Sequence, residues 1–136
     1  MNRRIVVCGG SKFNDYPLLE SSLNKIFKEY SDDTIEIISG HAKGADSLGE
    51  KYADEHNLKC TVFEADWKQY GRAAGPIRNS QMLEYAKQEN PLVVAFWDGE
   101  SHGTRDTINK AKKLNIRCEV IMYKGGNSWE THLKVL

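Results

Sequence analysis

The stretch "LVVAFWDGESHGTRDTI", Leu92 to Ile108, joins an unbroken apolar run to a loop of small and polar residues and then to a segment with helical spacing. A strand built only of apolar residues is typical of a parallel sheet that is covered on both faces. Glycines directly after such a strand leave backbone N–H groups open to a ligand, because no Cβ screens them. The stretch therefore predicts a buried strand, a bare loop and a helix that begins beside that loop.

The same alternation continues outward along the chain. Four further apolar runs, "RIVVC", "TIEIIS", "CTVFEA" and "RCEVIMY", alternate with segments of helical period at 17–30, 45–56, 76–88 and 104–114. Sequential strands joined by right-handed helical crossovers form a parallel sheet with helices on both faces. We predict an α/β fold, a three-layer doubly wound (Rossmann-like) domain with a five-stranded parallel sheet of order 3-2-1-4-5.

Length and charge limit the function classes. With 136 residues, the chain is expected to form one domain over 1–123, followed by a C-terminal tail, 124–136, that docks on the domain or on a neighbouring subunit. Lys plus Arg and Asp plus Glu both number 19, so the net charge gives no argument for binding duplex DNA or an anionic membrane. The connection 65–75 is longer than usual and is expected to be an irregular loop with a functional role.

Cysteine usage and the apolar runs bear on location. The three cysteines are odd in number and show no C-x-x-C spacing, which indicates reduced thiols and argues against a zinc site. No metal ion and no cofactor are expected. No apolar run is long enough for a signal peptide or a membrane span, so we expect a cytoplasmic protein.

Three glycine-containing loops follow strands one, two and four: "GGSKFND" (9–15), "SGHAKGAD" (39–46) and "DGESHGT" (98–104). The carboxyl ends of parallel strands meet at one edge of the sheet, where ligands of such folds bind. Two of the loops lead into helices, whose first N–H groups favour anions. We predict an anion pocket between the ends of strands one and four; alternatively, the glycines only form tight turns. The absence of Walker A and G-x-G-x-x-G argues against a P-loop NTPase or a dinucleotide dehydrogenase.

The candidate ligand-binding residues lie in or beside these loops, and each basic one is alternatively a solvated surface charge. Trp67 and Tyr70 are candidates for stacking on a base or ribose, or for a core or interface position. His41 and His102 are the histidine candidates for contacting phosphate or donating a proton. The predicted ligand-binding set is Gly9, Gly10, Ser11, Lys12, Gly40, His41, Lys43, Gly44, Asp46, Arg72, Arg78, Asn79, Asp98, Gly99, Ser101, Gly103 and Thr104.

Four motifs carry a resemblance over about 4–123: "CGGSKFND", "IISGHAKGADSLGEKYA", "FEADWKQYGRAAGPIRNSQML" and "VVAFWDGESHGT". Together they resemble the SLOG superfamily of Rossmann-like domains, in its YspA-like (YpsA-related) branch. Distant relatives include the Lonely Guy phosphoribohydrolases, which cleave the N-glycosidic bond of nucleoside monophosphates, and the single-stranded-DNA-binding Rossmann domain of DNA-processing protein A. The resemblance implies a nucleotide or nucleotide-derived ligand and a homo-oligomer.

The resemblance to the hydrolases is incomplete at the catalytic position. Arg78 in "GPIRN" matches their arginine-bearing helix start, and Gly99, Gly103 and Thr104 match their glycine-rich G-T loop. Three residues after that threonine the hydrolases carry a glutamate, where this chain has Thr107, and their proline-glycine-glycine entry is replaced by "WDGES". The resemblance thus supports a nucleotide pocket better than hydrolysis.

Three functions follow as hypotheses. The first is a binding module, a sensor or sequestering protein for a nucleotide-derived molecule. The second is an N-glycosidase in which Asp106, Asp46 or Glu100 stabilises an oxocarbenium-like ribose and Arg78 holds the phosphate. The third is single-stranded DNA binding, against which the near-zero net charge argues. No membrane partner is expected.

Overall fold

The computed structural model describes residues 1–124 and 127–135, with side-chain surroundings up to Tyr123. The strands of its single sheet are β1 (Asn2–Gly9), β2 (Thr34–Ser39), β3 (Lys59–Val62), β4 (Pro91–Trp97), β5 (Cys118–Lys124) and β6 (Asn127–Val135). The α-helices are α1 (Tyr16–Phe27), α2 (Ala45–Glu55), α3 (Trp67–Tyr70), α4 (Ala74–Lys87) and α5 (His102–Lys113).

The strands lie in the order β3-β2-β1-β4-β5-β6, and the first five are parallel. This confirms the predicted α/β fold and its 3-2-1-4-5 order. The strand order reverses between β1, which pairs with β2 on one side, and β4 on the other. Their carboxyl ends diverge into helices on opposite faces, which leaves a crevice at that edge.

Alternate residues of β1 belong to two separate cores. Ile5 and Val7 pack in a cluster with residues of α1 and α2, whereas Val6 and Cys8 pack in a second cluster with residues of α4 and α5. Such alternation places successive side chains on opposite faces of the sheet. Both faces are therefore covered, as the unbroken apolar runs indicate.

The connection 65–75 differs from the irregular loop that the sequence suggests. It contains α3, a 3-10 turn over Gly71–Ala73 and the first two residues of α4. Asp66 caps α3, because its Oδ1 accepts a hydrogen bond of 3.1 Å from the N–H of Gln69. α3 has only four residues, which is too few to show the apolar spacing of a helix, so Asp66 as a capping residue is its one mark in the sequence.

The tail adds the sixth strand. β6 runs antiparallel to β5 at the edge of the sheet, with Glu119 opposite Val135. The backbone of 127–135 thus pairs with its own domain. The side chains of the tail, including that of Trp129, lie outside what the structure describes, so a contact with a neighbouring subunit and the division at 123 stay predictions. In the described residues no helix is long and apolar enough to cross a membrane.

Candidate functional site

A cavity of about 170 Å³ opens between the carboxyl ends of β1 and β4, and we call it the inner pocket. It lies where the strand order reverses, the position at which doubly wound folds bind ligands. Its lining comes from the end of β1 and from the starts of α2, α4 and α5. The lining residues are Cys8, Gly9, Ser11, Ala42, Asp46, Arg78, Asn79, Met82, Ser101, Gly103, Thr104 and Thr107.

The loop that leads into α5 is fixed by its own hydrogen bonds. Oδ1 of Asp98 accepts the N–H of Glu100 at 2.8 Å and the N–H of Ser101 at 2.9 Å. Gly99 takes a φ of 87°, which disfavours a residue with a Cβ. Burial alone would raise the pKa of Asp98, but these two N–H groups hold its pKa below the usual value. The loop is therefore held in place before a ligand arrives.

The start of α5 is open. Within the described part of the chain, the N–H groups of His102, Gly103 and Thr104 have no hydrogen-bond acceptor. Ser101 does not cap the helix, since its Oγ lies 3.1 Å from Oγ1 of Thr104 instead, and the first turn holds no acidic residue. Unpaired N–H groups and the positive end of the helix dipole together favour an anion here.

The start of α2 borders the same pocket, and we call it closed because backbone atoms pack against Gly44, although in the described residues the N–H groups of Asp46 and Ser47 also have no acceptor. The N–H of Ala45 donates to the carbonyl of Gly10 at 3.3 Å, and a Cβ on Gly44, whose φ is 81°, would collide with that carbonyl. Oδ2 of Asp46 accepts the N–H of Ala42 at 3.2 Å. This helix start already carries a carboxylate of its own, so a second anion is disfavoured there.

Asp46 is the buried acid of the inner pocket, with 5% of the residue exposed. Burial raises its pKa to about 6, while the Ala42 N–H and the charge of Arg78 act in the opposite direction. Near neutral pH its carboxyl group is mostly ionised but gains a proton readily. It is thus suited to accept hydrogen bonds from hydroxyl groups or to exchange a proton with a ligand.

Arg78 is held at the edge of the inner pocket. Its Nη1 donates to the carbonyl of Gly40 at 2.6 Å, and its Nε donates to Oδ1 of Asn79 at 3.0 Å. No residue in the described part of the chain accepts a hydrogen bond from Nη2. The guanidinium therefore has a fixed position and a remaining donor for a ligand.

Unlike Asp46 and Arg78 of the N-glycosidase hypothesis, and like Glu100, Asp106 does not line the inner pocket. Its Oδ2 accepts from Nδ2 of Asn79 at 3.1 Å and pairs with Nζ of Lys110 at 2.9 Å. The pocket is lined instead by Thr107, which is 1% exposed. One step along a helix rotates a side chain by about 100°, so Asp106 is offset from the position that corresponds to the hydrolases' glutamate, and its catalytic role stays a prediction.

A second cavity, of about 360 Å³, adjoins the first, and we call it the outer pocket. It shares Ala42 and Arg78 with the inner pocket. Trp67, at the start of α3, is 59% exposed and forms part of its wall. The lining residues are Gly40, His41, Ala42, Glu64, Ala65, Trp67 and Arg78.

His41 is held rigidly at the outer pocket. Its φ of 59° is unusual for a residue with a Cβ, and its Nδ1 lies 2.9 Å from Oε2 of Glu50. The hydroxyl of Ser39 donates to the same carboxylate at 2.7 Å. The hydrogen bond and charge of Glu50 raise the pKa of His41. The other ring nitrogen, Nε2, lies 3.7 Å from Glu64.

A third cavity, the side pocket, has a volume of about 270 Å³. It shares Ser11 and Ser101 with the inner pocket. Its charged residues are Lys12, Asp98 and Glu100, and the remaining lining residue is Gly10.

The structure brings together part of the predicted set. Eight of its members line the inner pocket. Four members border none of the three pockets: Lys43, Gly44, Arg72 and Gly99.

Four further residues line the inner pocket that the sequence did not predict: Cys8, Ala42, Met82 and Thr107. Met82 follows Arg78 by four positions and Thr107 follows Gly103 by four, so helical spacing from those two residues would have found them.

Neither metal nor thiol chemistry is supported at this site. The described residues hold no group of three or more His, Cys, Asp or Glu side chains that could bind a metal ion. Burial raises the pKa of Cys8, that of Cys60 to about 11 and that of Cys118 to about 12. These thiols therefore stay protonated at neutral pH, and Cys8 contributes a neutral surface to the pocket.

Comparison with known proteins gives a family and a relative. The chain is similar to the Gene 61 protein of Mycobacterium phage D29, with 27% identity over 119 residues that cover 84% of this chain and 92% of the phage protein. Residues 3–70, half of the chain, match the profile of the family described as YspA, cpYpsA-related SLOG family. The matched part contains β1, β2 and the first two glycine-containing loops. This chain therefore belongs to the YspA, cpYpsA-related SLOG family.

Proposed function

We propose that this protein binds a nucleotide or a nucleotide-derived molecule, as a sensor or sequestering module, and holds it by its phosphate. The observation that carries the proposal is the open start of α5, where two residues whose N–H groups have no acceptor in the described chain, Gly103 and Thr104, line a pocket that Arg78 also lines. Membership of a SLOG family is consistent with a nucleotide-related ligand.

The starts of α5 and α2 favour different parts of the ligand. A phosphate is favoured at Gly103 and Thr104, where the helix dipole is unopposed. It is disfavoured beside Asp46, whose carboxyl group is largely ionised at neutral pH. The ribose therefore belongs near Asp46, which accepts hydrogen bonds from its hydroxyl groups.

A single N–H group tests the phosphate position. Gly103 is the second residue of α5, and a Cβ built there meets no atom within 4 Å. The second residue of α1 is Pro17, so this fold already accommodates proline at that helix position. Gly103→Pro removes the N–H, whereas the matched control Gly103→Ala keeps it.

We expect Gly103→Pro to weaken AMP binding about tenfold to a hundredfold in titration calorimetry, since a hydrogen bond to a charged group contributes about 1.5–3 kcal/mol. Gly103→Ala keeps the N–H and should weaken AMP binding less than Gly103→Pro does. Equal affinities of the proline and alanine variants would contradict the phosphate position. Mass spectrometry of small molecules released from the denatured, purified protein would identify a co-purified ligand directly.

The second candidate function is hydrolysis of a nucleoside monophosphate, which the raised pKa of Asp46 favours. In that reaction the bond between C1′ and the base breaks, Asp46 protonates the leaving base, and water adds to C1′ to give ribose 5-phosphate. Incubation with AMP should then release adenine, and Asp46→Asn should abolish the release. No adenine from the parent protein would leave binding as the function.

A further inference from the structure

We propose that the outer pocket is the subsite for a planar base, which stacks on Trp67 while the phosphate occupies the inner pocket. This inference rests on the proposed function and narrows it to nucleoside phosphates with an aromatic base. The argument combines cavity size, the connection between the pockets and the position of the indole.

The inner pocket alone is small for a complete nucleotide. Cavities that hold drug-sized ligands measure about 300–1,000 Å³, and the inner pocket measures about 170 Å³. It accommodates a phosphate and a sugar. The base of a bound nucleotide must then extend into one of the adjoining cavities.

The composition of the two adjoining cavities decides between them. The side pocket is lined by glycine, serine and three charged residues and offers no planar apolar surface. The outer pocket is larger, at about 360 Å³, and includes the indole of Trp67. A base loses its water more favourably against an aromatic ring than against charged groups. The outer pocket is therefore the better site for the base.

Trp67 is positioned before ligand binding. The cap from Asp66 fixes α3, and the indole leans on the start of α4, where Cη2 would lie 3.4 Å from a Cβ built on Gly75. Nη2 of Arg78 would lie 3.9 Å from that same Cβ, so the guanidinium and the indole both border Gly75. The indole nonetheless stays 59% exposed, so it is accessible to a ligand.

His41 supplies a polar edge to the same cavity. Its left-handed backbone conformation is strained for histidine, and such strain is concentrated at functional sites. Glu50 holds Nδ1, which leaves Nε2 at the cavity, 3.7 Å from the carboxylate of Glu64. Ring nitrogens and amino groups of a base match this pair of polar groups.

The test compares AMP with ribose 5-phosphate, which lacks the base, by titration calorimetry on the full chain. The variants are Trp67→Ala and a matched control, Tyr70→Ala, which removes an aromatic ring that is 42% exposed on the same short helix but borders none of the three pockets. Stacking of a base on an aromatic side chain is expected to tighten binding about tenfold to a hundredfold.

We expect the parent protein to bind AMP more tightly than ribose 5-phosphate by that factor. Trp67→Ala should bind both ligands with the weaker affinity, and Tyr70→Ala should bind both like the parent. Equal binding of the two ligands by the parent, or undiminished AMP binding by Trp67→Ala, would overturn the base subsite and leave the phosphate site intact. Binding of neither ligand by the parent would overturn the proposed function itself.

Discussion

The starts of α2 and α5 border the same pocket, and both follow loops that contain glycine, but they are built for different purposes. At α2 the glycine lets the chain approach itself, because Gly44 lies against the carbonyl of Gly10, and Asp46 supplies a negative charge. At α5 the glycine leaves open space, and the first turn has no acid. The first helix start is a packed junction, and the second is a site that a ligand can reach.

The difference shows that a glycine in a strand-to-helix loop has two physical roles that the sequence alone does not separate. A positive φ and a backbone contact make glycine necessary for folding. An exposed N–H without an acceptor makes it useful for binding. Substitutions that add a single methyl group tell these roles apart.

The largest effect is expected at the closed helix start. Gly44→Ala forces a Cβ into a left-handed conformation and against backbone atoms, which should lower the free energy of unfolding by about 2–5 kcal/mol. Gly103→Ala places its methyl group in open space and should change the free energy of unfolding by less than about 1 kcal/mol. Urea unfolding of the two variants measures both values. Similar losses at both positions would erase the distinction.

The next effect concerns the guanidinium between the inner and outer pockets. Arg78→Ala should weaken AMP binding by about one to two decades, because a charge-assisted contact is lost. It should also lower the free energy of unfolding by about 1 kcal/mol, since the bond to the Gly40 carbonyl disappears. The sequence predicts only a ligand-binding role for Arg78 and does not indicate this structural one. Arg72→Ala is the control, as Arg72 is exposed and borders none of the three pockets.

A third expected effect is a pH dependence of stability that Asp46, at the start of α2, causes. The pKa of Asp46 is about 6 in the folded chain, against 3.8 for an unperturbed Asp. The folded state therefore binds this proton more tightly than the unfolded state does. The protonated carboxyl group of Asp46 contributes its full stabilisation below the unfolded pKa, and this stabilisation is lost as the pH rises through the folded pKa. Asp46→Asn removes this dependence.

Relative to the parent, the free energy of unfolding of Asp46→Asn should rise by about 2 kcal/mol between pH 4 and pH 7. Urea denaturation at half-unit pH steps measures the difference, in which the titration of the other carboxylates cancels. A difference that stays constant over this range would mean that Asp46 is not a buried acid.

The sequence was sufficient for the architecture because the architecture depends on repeated patterns. Unbroken apolar runs such as Leu92–Trp97 specify strands covered on both faces, and their alternation with helices fixes the parallel order. The parallel order in turn brings the three loops to one edge. A short element such as α3 has too few residues to show a period and was interpreted as a loop.

The site was less predictable because it depends on single side-chain directions. Lys43 and Arg72 follow strands at the predicted carboxyl edge of the sheet, but both are exposed and border none of the three pockets. Met82 reaches the inner pocket from a helix position that looks like ordinary core. The closed state of the α2 start depends on a contact between residues 34 positions apart, Gly10 and Gly44, which no local pattern contains.

The smallest effect is expected at Asp106, which lies on α5 but does not line the inner pocket. Its carboxylate is engaged by Asn79 and by Lys110, the latter as a partly exposed i,i+4 pair that contributes about 0.3–0.5 kcal/mol. Asp106→Asn keeps an oxygen for Asn79 and loses only the charge.

AMP affinity of Asp106→Asn should change less than about twofold, since the phosphate site at Gly103 and Thr104 is untouched, and the parent should have no adenine release to lose. Calorimetry and chromatographic detection of adenine check both points. Robust adenine release by the parent that disappears in Asp106→Asn would show that the carboxylate reaches the sugar after all. The open helix start would then be part of a catalytic site, and its contrast with α2 would be one of chemistry as well as of access.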